Sequence, residues 1–259
     1  MALYGLLGDI HGNREALGAA LAALAERGAK ALLCLGDIVG INADPDKCVA
    51  MLRERGALSI AGNHDLIGLG RLGLARCSDN AMYSLKRTRR VLAEASARYL
   101  ARLPDYRVIG ESIVLVHGGV RDVEQDMVSI AHIRENLAYL RHDFPEARLC
   151  FFGHSHQQKI YEVNGEEVAE RVASTRVGLD RAMTYFINPG AVDASRKREH
   201  KFAECALLDT EAWAVEFVRV PYDCAATEAK AAAFGYRIPP LVERWYSLRN
   251  RLFRRPRFT

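Results

Sequence analysis

No Cys-x-x-Cys spacing occurs among the six cysteines, at positions 34, 48, 77, 150, 205 and 224. Cys34 and Cys150 sit inside apolar, strand-like runs, so the cysteines read as reduced buried thiols rather than disulfides or zinc ligands. No uninterrupted apolar run reaches the roughly 18–20 residues that a bilayer span requires. The first residues carry no basic stretch followed by an apolar segment, and a cytoplasmic protein without membrane contact is the expectation. Repeats and low-complexity segments are also missing. The net charge is only +4 at pH 7 and is spread along 259 residues, which gives little reason to expect a nucleic-acid partner. The exception is the C-terminus, with Arg244, Arg249, Arg251, Arg254, Arg255 and Arg257. It reads as a solvated helix end and frayed tail rather than a contact with a phosphate polymer. What is present is ordinary for a globular protein, 49% hydrophobic and 26% charged residues. The chain is long enough to bury a sizeable core in one large α/β domain or two small ones.

The N-terminal third alternates strand and helix. Residues 3–8 are a short apolar run ending in a turn, and 13–26 place Leu17, Leu21 and Leu24 at helical spacing. Residues 31–35 and 58–61 repeat the strand pattern. Between them, 45–55 predict a helix with Asp44 as N-cap and Pro45 at its first position. Such alternation implies parallel strands with crossover helices, and ligands then collect at the carboxyl ends of the strands. Residues 78–103 turn helical and charged, as a helical cap insertion would. Residues 106–109, 112–116, 148–152, 159–163, 184–187, 203–209 and 213–220 read as strands with hairpin-like spacing, interrupted by a helix over 129–141; they suggest a second, mixed sheet. The expected architecture is a four-layer α/β/β/α sandwich of two sheets flanked by helices. A domain over 1–226 would carry the cap, and 227–259 would form a helical basic appendage.

The chemistry lies in five short motifs in one order: Gly8-Asp9-Ile10-His11-Gly12-Asn13, Gly36-Asp37, Gly62-Asn63-His64-Asp65, His117-Gly118 and Gly153-His154-Ser155-His156. Each follows an apolar run. Taken singly, an Asp-x-His is an ordinary turn or cap and a Gly-Asp a common strand end. Together they place carboxylate, amide and imidazole groups at successive strand ends, and five of the eight histidines fall inside them. In an extended strand end Asp9 and His11 would point to one side and bind one ion together. Asp37, on a neighbouring parallel strand about 4.8 Å away, could bridge two ions. Gly8, Gly36 and Gly153 leave room for close approach. A carboxylate bridge with imidazole and amide neighbours suits a divalent transition metal better than calcium. His132, His142 and His200 fall in polar stretches and read as surface residues.

The same ordered set resembles the calcineurin-like metallophosphoesterase superfamily, over residues 3–209. The modest length and the simple Asn188-Pro189-Gly190 are most similar to its small bacterial and archaeal phosphodiesterase branch. The resemblance implies the four-layer fold and two divalent ions, Mn foremost, with Fe, Zn, Co or Ni as the others. It assigns Asp9, His11, Asp37 and His156 to the first ion and Asp37, Asn63, His117 and His154 to the second. Two ions roughly 3.5–4 Å apart would acidify a bridging water, so that hydroxide attacks the phosphorus without a covalent enzyme intermediate. His64 is expected not to bind metal but to assist the leaving group, with Asp65 orienting its ring.

Other residues bear on the substrate. Asn13 either contacts a phosphate oxygen or supports its loop. Gly118, Gly119, Val120 and Arg121 either present donors to a second phosphate or form a simple surface loop, and Arg196 is a further candidate contact. Ile41 stands where the branch leads one to expect an aromatic. Arg87, Arg89 and Arg90 on the cap read as a solvated face. The leading expectation is a phosphodiesterase acting on a small nucleotide-like or organic phosphodiester. Its rivals are a phosphoprotein or nucleotide phosphatase, a non-catalytic binding scaffold of the same fold, and a nuclease drawing on the basic C-terminus. Ile238, Leu241, Trp245, Tyr246, Leu248 and Leu252 either pack back on the domain or form a homo-oligomer contact.

Overall fold

The computed structural model describes residues 3–194, 197, 200–239 and 242. The chain begins with β1 (Leu3–Leu7), α1 (Arg14–Glu26), β2 (Ala31–Cys34), α2 (Pro45–Glu54), β3 (Leu58–Ser59) and α3 (Asn63–Gly68). The cap helices α4 (Asp79–Val91) and α5 (Glu94–Leu100) come next, then β4 (Arg107–Ile109), β5 (Ile113–Leu115), α6 (Ile130–Asp143) and β6 (Leu149–Phe151). The remainder is β7 (Gln158–Asn164), β8 (Glu167–Arg171), β9 (Arg176–Gly178), β10 (Thr184–Pro189), β11 (Phe202–Asp209), β12 (Ala214–Pro221) and α7 (Cys224–Ala233).

Two six-stranded sheets result, in the orders β3-β2-β1-β11-β12-β9 and β4-β5-β6-β10-β7-β8. Both are mixed. β1, β2 and β3 run parallel in the first, and β5, β6 and β10 run parallel in the second. Side-chain alternation builds the layers. On β11, Ala206 and Leu208 join Leu6, Leu33, Phe151 and Ile187 between the sheets, while Cys205 and Leu207 face α1 and α2 with Leu17, Leu21 and Val49. On β5 and β6, Val114 and Cys150 face α6 through Ile133, Leu137 and Leu140. The order helix, sheet, sheet, helix is the expected four-layer sandwich.

Several expectations need correction. The strands at 203–209 and 213–220 belong to the first sheet, where β11 pairs antiparallel with β1. Hairpin spacing tells which strand pairs with which, but not which sheet the hairpin joins. β8 and β9 escaped the pattern because one is nearly all exposed and the other has three residues. α3 escaped because its residues read as a site rather than a helix. Asp44 does occupy the N-cap of α2, but it caps no backbone N–H. Its carboxylate binds Lys47 and Lys230 instead. The boundary expected after 226 falls inside α7. Leu241, Trp245, Tyr246, Leu248, Leu252 and the six C-terminal arginines lie outside the described residues, as does Arg196.

Candidate metal centre

The five motifs meet in space because they occupy the loops leaving β1, β2, β3, β5 and β6, all at the carboxyl ends of parallel strands. Backbone hydrogen bonds stitch them together. The amide of Asp9 donates to Gly36 O, and those of Ile10 and His11 donate to Asp37 O. Gly153 N donates to His117 O, and His154 N donates to the Asp9 carboxylate. Asn188 secures the last motif by donating from Nδ2 to Gly153 O and Ser155 Oγ.

Asp9 and His11 are not in an extended strand end, as the spacing suggested. Asp9 (φ 51°), His11 (φ 52°), Asp37 (φ 53°), His154 (φ 64°) and His156 (φ 58°) all lie in the left-handed region. A single non-glycine residue there is uncommon, and each costs about 1–3 kcal/mol. Gly40 (φ +137°) completes the wall: a Cβ there would lie 2.5 Å from His64 Nδ1, so only glycine lets the imidazole sit against the backbone.

The side chains form three overlapping groups whose ligand atoms lie within 4.8 Å of one another: Asp9, His11 and His156; His11, Asp37 and His64; and Asp37, His117 and His154. The Nε2 atoms of His11 and His156 are 3.1 Å apart. Asn63 Oδ1 lies 3.1 Å from both His117 Nε2 and His154 Nδ1. Asp37 Oδ1 is 3.4 Å from His117 Nε2, and Asp9 Oδ1 is 3.4 Å from His156 Nε2. Neighbouring ligands about 2.1 Å from a shared ion stand roughly 3.0–3.4 Å apart, which is this spacing. Asp9 and Asp37 are fully buried, and among the described residues no lysine or arginine forms an ion pair with either. Two buried carboxylates with only imidazoles around them are a donor set that a divalent cation completes. His117 Nδ1 lies 2.7 Å from Leu35 O, which turns Nε2 inward.

The electrostatics point the same way. Against the cost of burial, the histidines around them hold Asp9 and Asp37 well below the usual carboxylate range. Burial and neighbouring imidazoles hold His11 and His154 below the ordinary histidine value, although nearby carboxylates oppose them. His117 goes up, to about 10, because Asp37 and Asp9 outweigh its burial. Without metal, a proton on His117 does part of what a cation would do.

The Asp65 carboxylate is engaged by backbone donors. Its Oδ1 accepts from Ile38 N and Val39 N, and its Oδ2 from Gly62 N, closing the turn into α3. Burial and the Asp37 charge push its carboxyl up to about 7. Asn13 is fully buried, and its amide supports the loop. Oδ1 accepts from Ala16 N and Thr227 Oγ1, and Nδ2 donates to Asp193 Oδ1 and Tyr222 Oη. Both polar atoms of its side chain are engaged within the protein. Arg121 is turned away onto Asp143 and the Tyr139 ring. Arg89 of the cap, read as solvated, donates to Ile67 O and Leu72 O. Sequence reasoning missed Asp126, whose Oδ1 stands 3.6 Å from His154 Nε2, and nothing in its spacing marks it. A surface cavity of about 640 Å³, around Arg171, Arg181, Tyr185 and Trp213, shares no residue with the centre. The donor set, not this hollow, marks the site.

Comparison with known proteins agrees with this geometry. The sequence profile of the calcineurin-like phosphoesterase superfamily domain matches residues 2–212. An uncharacterized protein of Methanocaldococcus jannaschii is 33% identical over 227 residues, covering 86% of this chain and 88% of that protein. A metallophosphoesterase structure from Sphaerobacter thermophilus is 28% identical, covers 90% of this chain and 94% of that one, and has a TM-score of 0.72. A hypothetical protein from Pyrococcus horikoshii shares the fold, with 22% identity, 90% and 93% coverage and a TM-score of 0.69. The chain therefore belongs to the calcineurin-like phosphoesterase superfamily, whose members use divalent metal ions, and it is a phosphoesterase. Among the described residues no helix is long and apolar enough to cross a membrane.

Two predictions follow from the site. Replacing Asp65 with Asn leaves one oxygen for three backbone donors and sets an amide against an N–H, so stability should fall by roughly 2–3 kcal/mol in urea melts; a ring-orienting Asp65 would leave stability unchanged. For the metal-free protein, stability should peak near pH 6.5. Below it the unfolded chain takes up protons that folded His11 and His154 refuse, which outweighs the opposite contribution of Asp65. Above it the contribution of His117 drains away as pH rises towards 10. Thermal melts across pH in chelator check this, and a monotonic profile would contradict it.

Proposed function

We propose that the protein is a two-metal phosphodiesterase acting on a small nucleotide-like or organic phosphodiester. Asp9, His11, Asp37 and His156 would hold one divalent transition-metal ion, Mn foremost, and Asp37, Asn63, His117 and His154 the other. The observation that carries the reading is the pair of histidine clusters with the buried Asp37 carboxylate reaching both, 3.8 Å from His11 Nε2 and 3.4 Å from His117 Nε2. When bound, such ions supply a water acidified towards neutral pH and positive charge for the phosphoryl oxygens.

The residues of the chain supply the rest. His64 is nearly buried, with its ring centroid 4.5 Å from that of His11 and its backbone N–H donating to Asp37 Oδ1 at 2.7 Å. On this reading the imidazole would stand at the edge of the metal centre and give a proton to the departing oxygen. His154 and His156 are the more exposed ligands, at 19% and 13%, so substrate would enter over them. The rim there is acidic, with Asp126 beside His154 and with Asp122 and Glu124 held by Arg76. Lys197 is bound to Glu204 and Arg121 to Asp143. A rim with acidic side chains and its nearby cations engaged favours a singly charged diester over a dianionic monoester or a nucleic-acid strand. A monoester phosphatase remains the rival enzymatic reading. A non-catalytic scaffold is disfavoured by the complete donor set.

Elemental analysis of Mn²⁺-loaded protein should find two ions per chain. Asp37→Asn should lower hydrolysis of bis-p-nitrophenyl phosphate by at least a hundredfold while the far-UV spectrum is kept; an unchanged rate would refute the reading, and faster turnover of p-nitrophenyl phosphate would favour the phosphatase. His64→Ala should keep both ions and slow diesters with poor leaving groups most, by roughly 10²–10⁴-fold. Loss of an ion instead would make His64 a ligand.

A further inference from the structure

The family profile ends at residue 212, and β12, α7 and the residues that follow lie beyond that match. The segment after β12 does not hang free. Three of its side chains each bind a residue next to the Asp9–His11 loop. Thr227 Oγ1 donates to Asn13 Oδ1 at 3.0 Å. Lys230 bridges Asp44 and Glu15, and Asp44 N donates to Gly12 O at 3.1 Å. Arg237 is the most fully engaged. Its Nε and one terminal nitrogen hold Glu228 at 2.9 and 3.0 Å, while the fork's far side donates to Ile41 O at 3.0 Å and Asn42 Oδ1 at 2.9 Å. Asn42 is itself buried, and its N–H donates to His11 O at 2.7 Å.

We propose that residues 222–237 form a strap that positions the metal-binding loop, with Arg237 as its main positioning residue, acting through Asn42 on His11. Four guanidinium N–H bonds in one plane grip Glu228 and the 41–42 turn together, which an ammonium cannot do. The strap opposes relaxation of two left-handed residues, Asp9 and His11, that would otherwise favour a wider turn. This inference rests on the metal reading above.

The test uses the full chain and two readouts. In metal-free protein, hydrogen exchange over residues 40–44 should quicken in Arg237→Ala. In Mn²⁺ titrations the same variant should lose roughly 10–100-fold in affinity for one of two ions while the other is unchanged. Arg237→Lys should recover only part of either effect. Arg181→Ala, which removes a guanidinium stacked 4.5 Å from the Trp213 ring, should alter neither. If Arg237→Ala does not fold, Thr227→Val is read in its place. Unchanged exchange, unchanged affinity in a wild type that binds two ions, or equal loss at both ions overturns the strap alone. A wild type that binds no ion overturns both this inference and the metal reading.

Discussion

The fold is arranged around two buried carboxylates that, among the described residues, form no ion pair with a lysine or arginine. Asp9 and Asp37 sit at the ends of neighbouring parallel strands, surrounded by imidazoles, and the folded chain keeps both ionised. A buried charge in such surroundings is costly unless something of opposite sign completes it. The fold meets that demand by bringing donors from both sheets to one edge: Asp9, His11, Asp37 and Asn63 from the first, His117, His154 and His156 from the second.

The same demand explains the local strain. Five residues in the left-handed region, all within the candidate donor set, would be hard to keep in an isolated loop. They persist because each loop is hydrogen-bonded to the next. The Asp9 loop is tied to the Asp37 loop, the His154 loop to Asp9, and Asp65 closes the turn that presents Asn63 and His64. The sandwich core beneath is made of well-packed aliphatic and aromatic side chains, so the loops rest on strands that do not yield. Strain sits in the rim because the layers below over-determine it.

Much of this was legible in the residues. Short apolar runs followed by Gly-Asp or Gly-His mark strand ends, since local hydrophobic pattern decides strand and helix. The order of the motifs marks the donor set. What failed to show was always a matter of partners. Asp65 looked like a companion for His64 because it is next in sequence, yet its carboxylate closes onto Ile38 and Val39. The sequence left Asn13 between a phosphate contact and a loop support, and Asp193, Tyr222 and Thr227 engage it from far along the chain. Asp126 carries no pattern at all.

The amino-acid sequence by itself determined the fold class, the run of strands and helices in the N-terminal third, and the residues able to bind metal, because each depends on composition and spacing within a few neighbours. Only the tertiary structure decided that the β11–β12 hairpin completes the first sheet, that the donor residues turn back through left-handed backbone, and that Arg237 reaches across to Asn42. These outcomes depend on contacts between segments tens to hundreds of residues apart. Such contacts are chosen by packing and by the need to satisfy buried polar groups, and neither leaves a local trace.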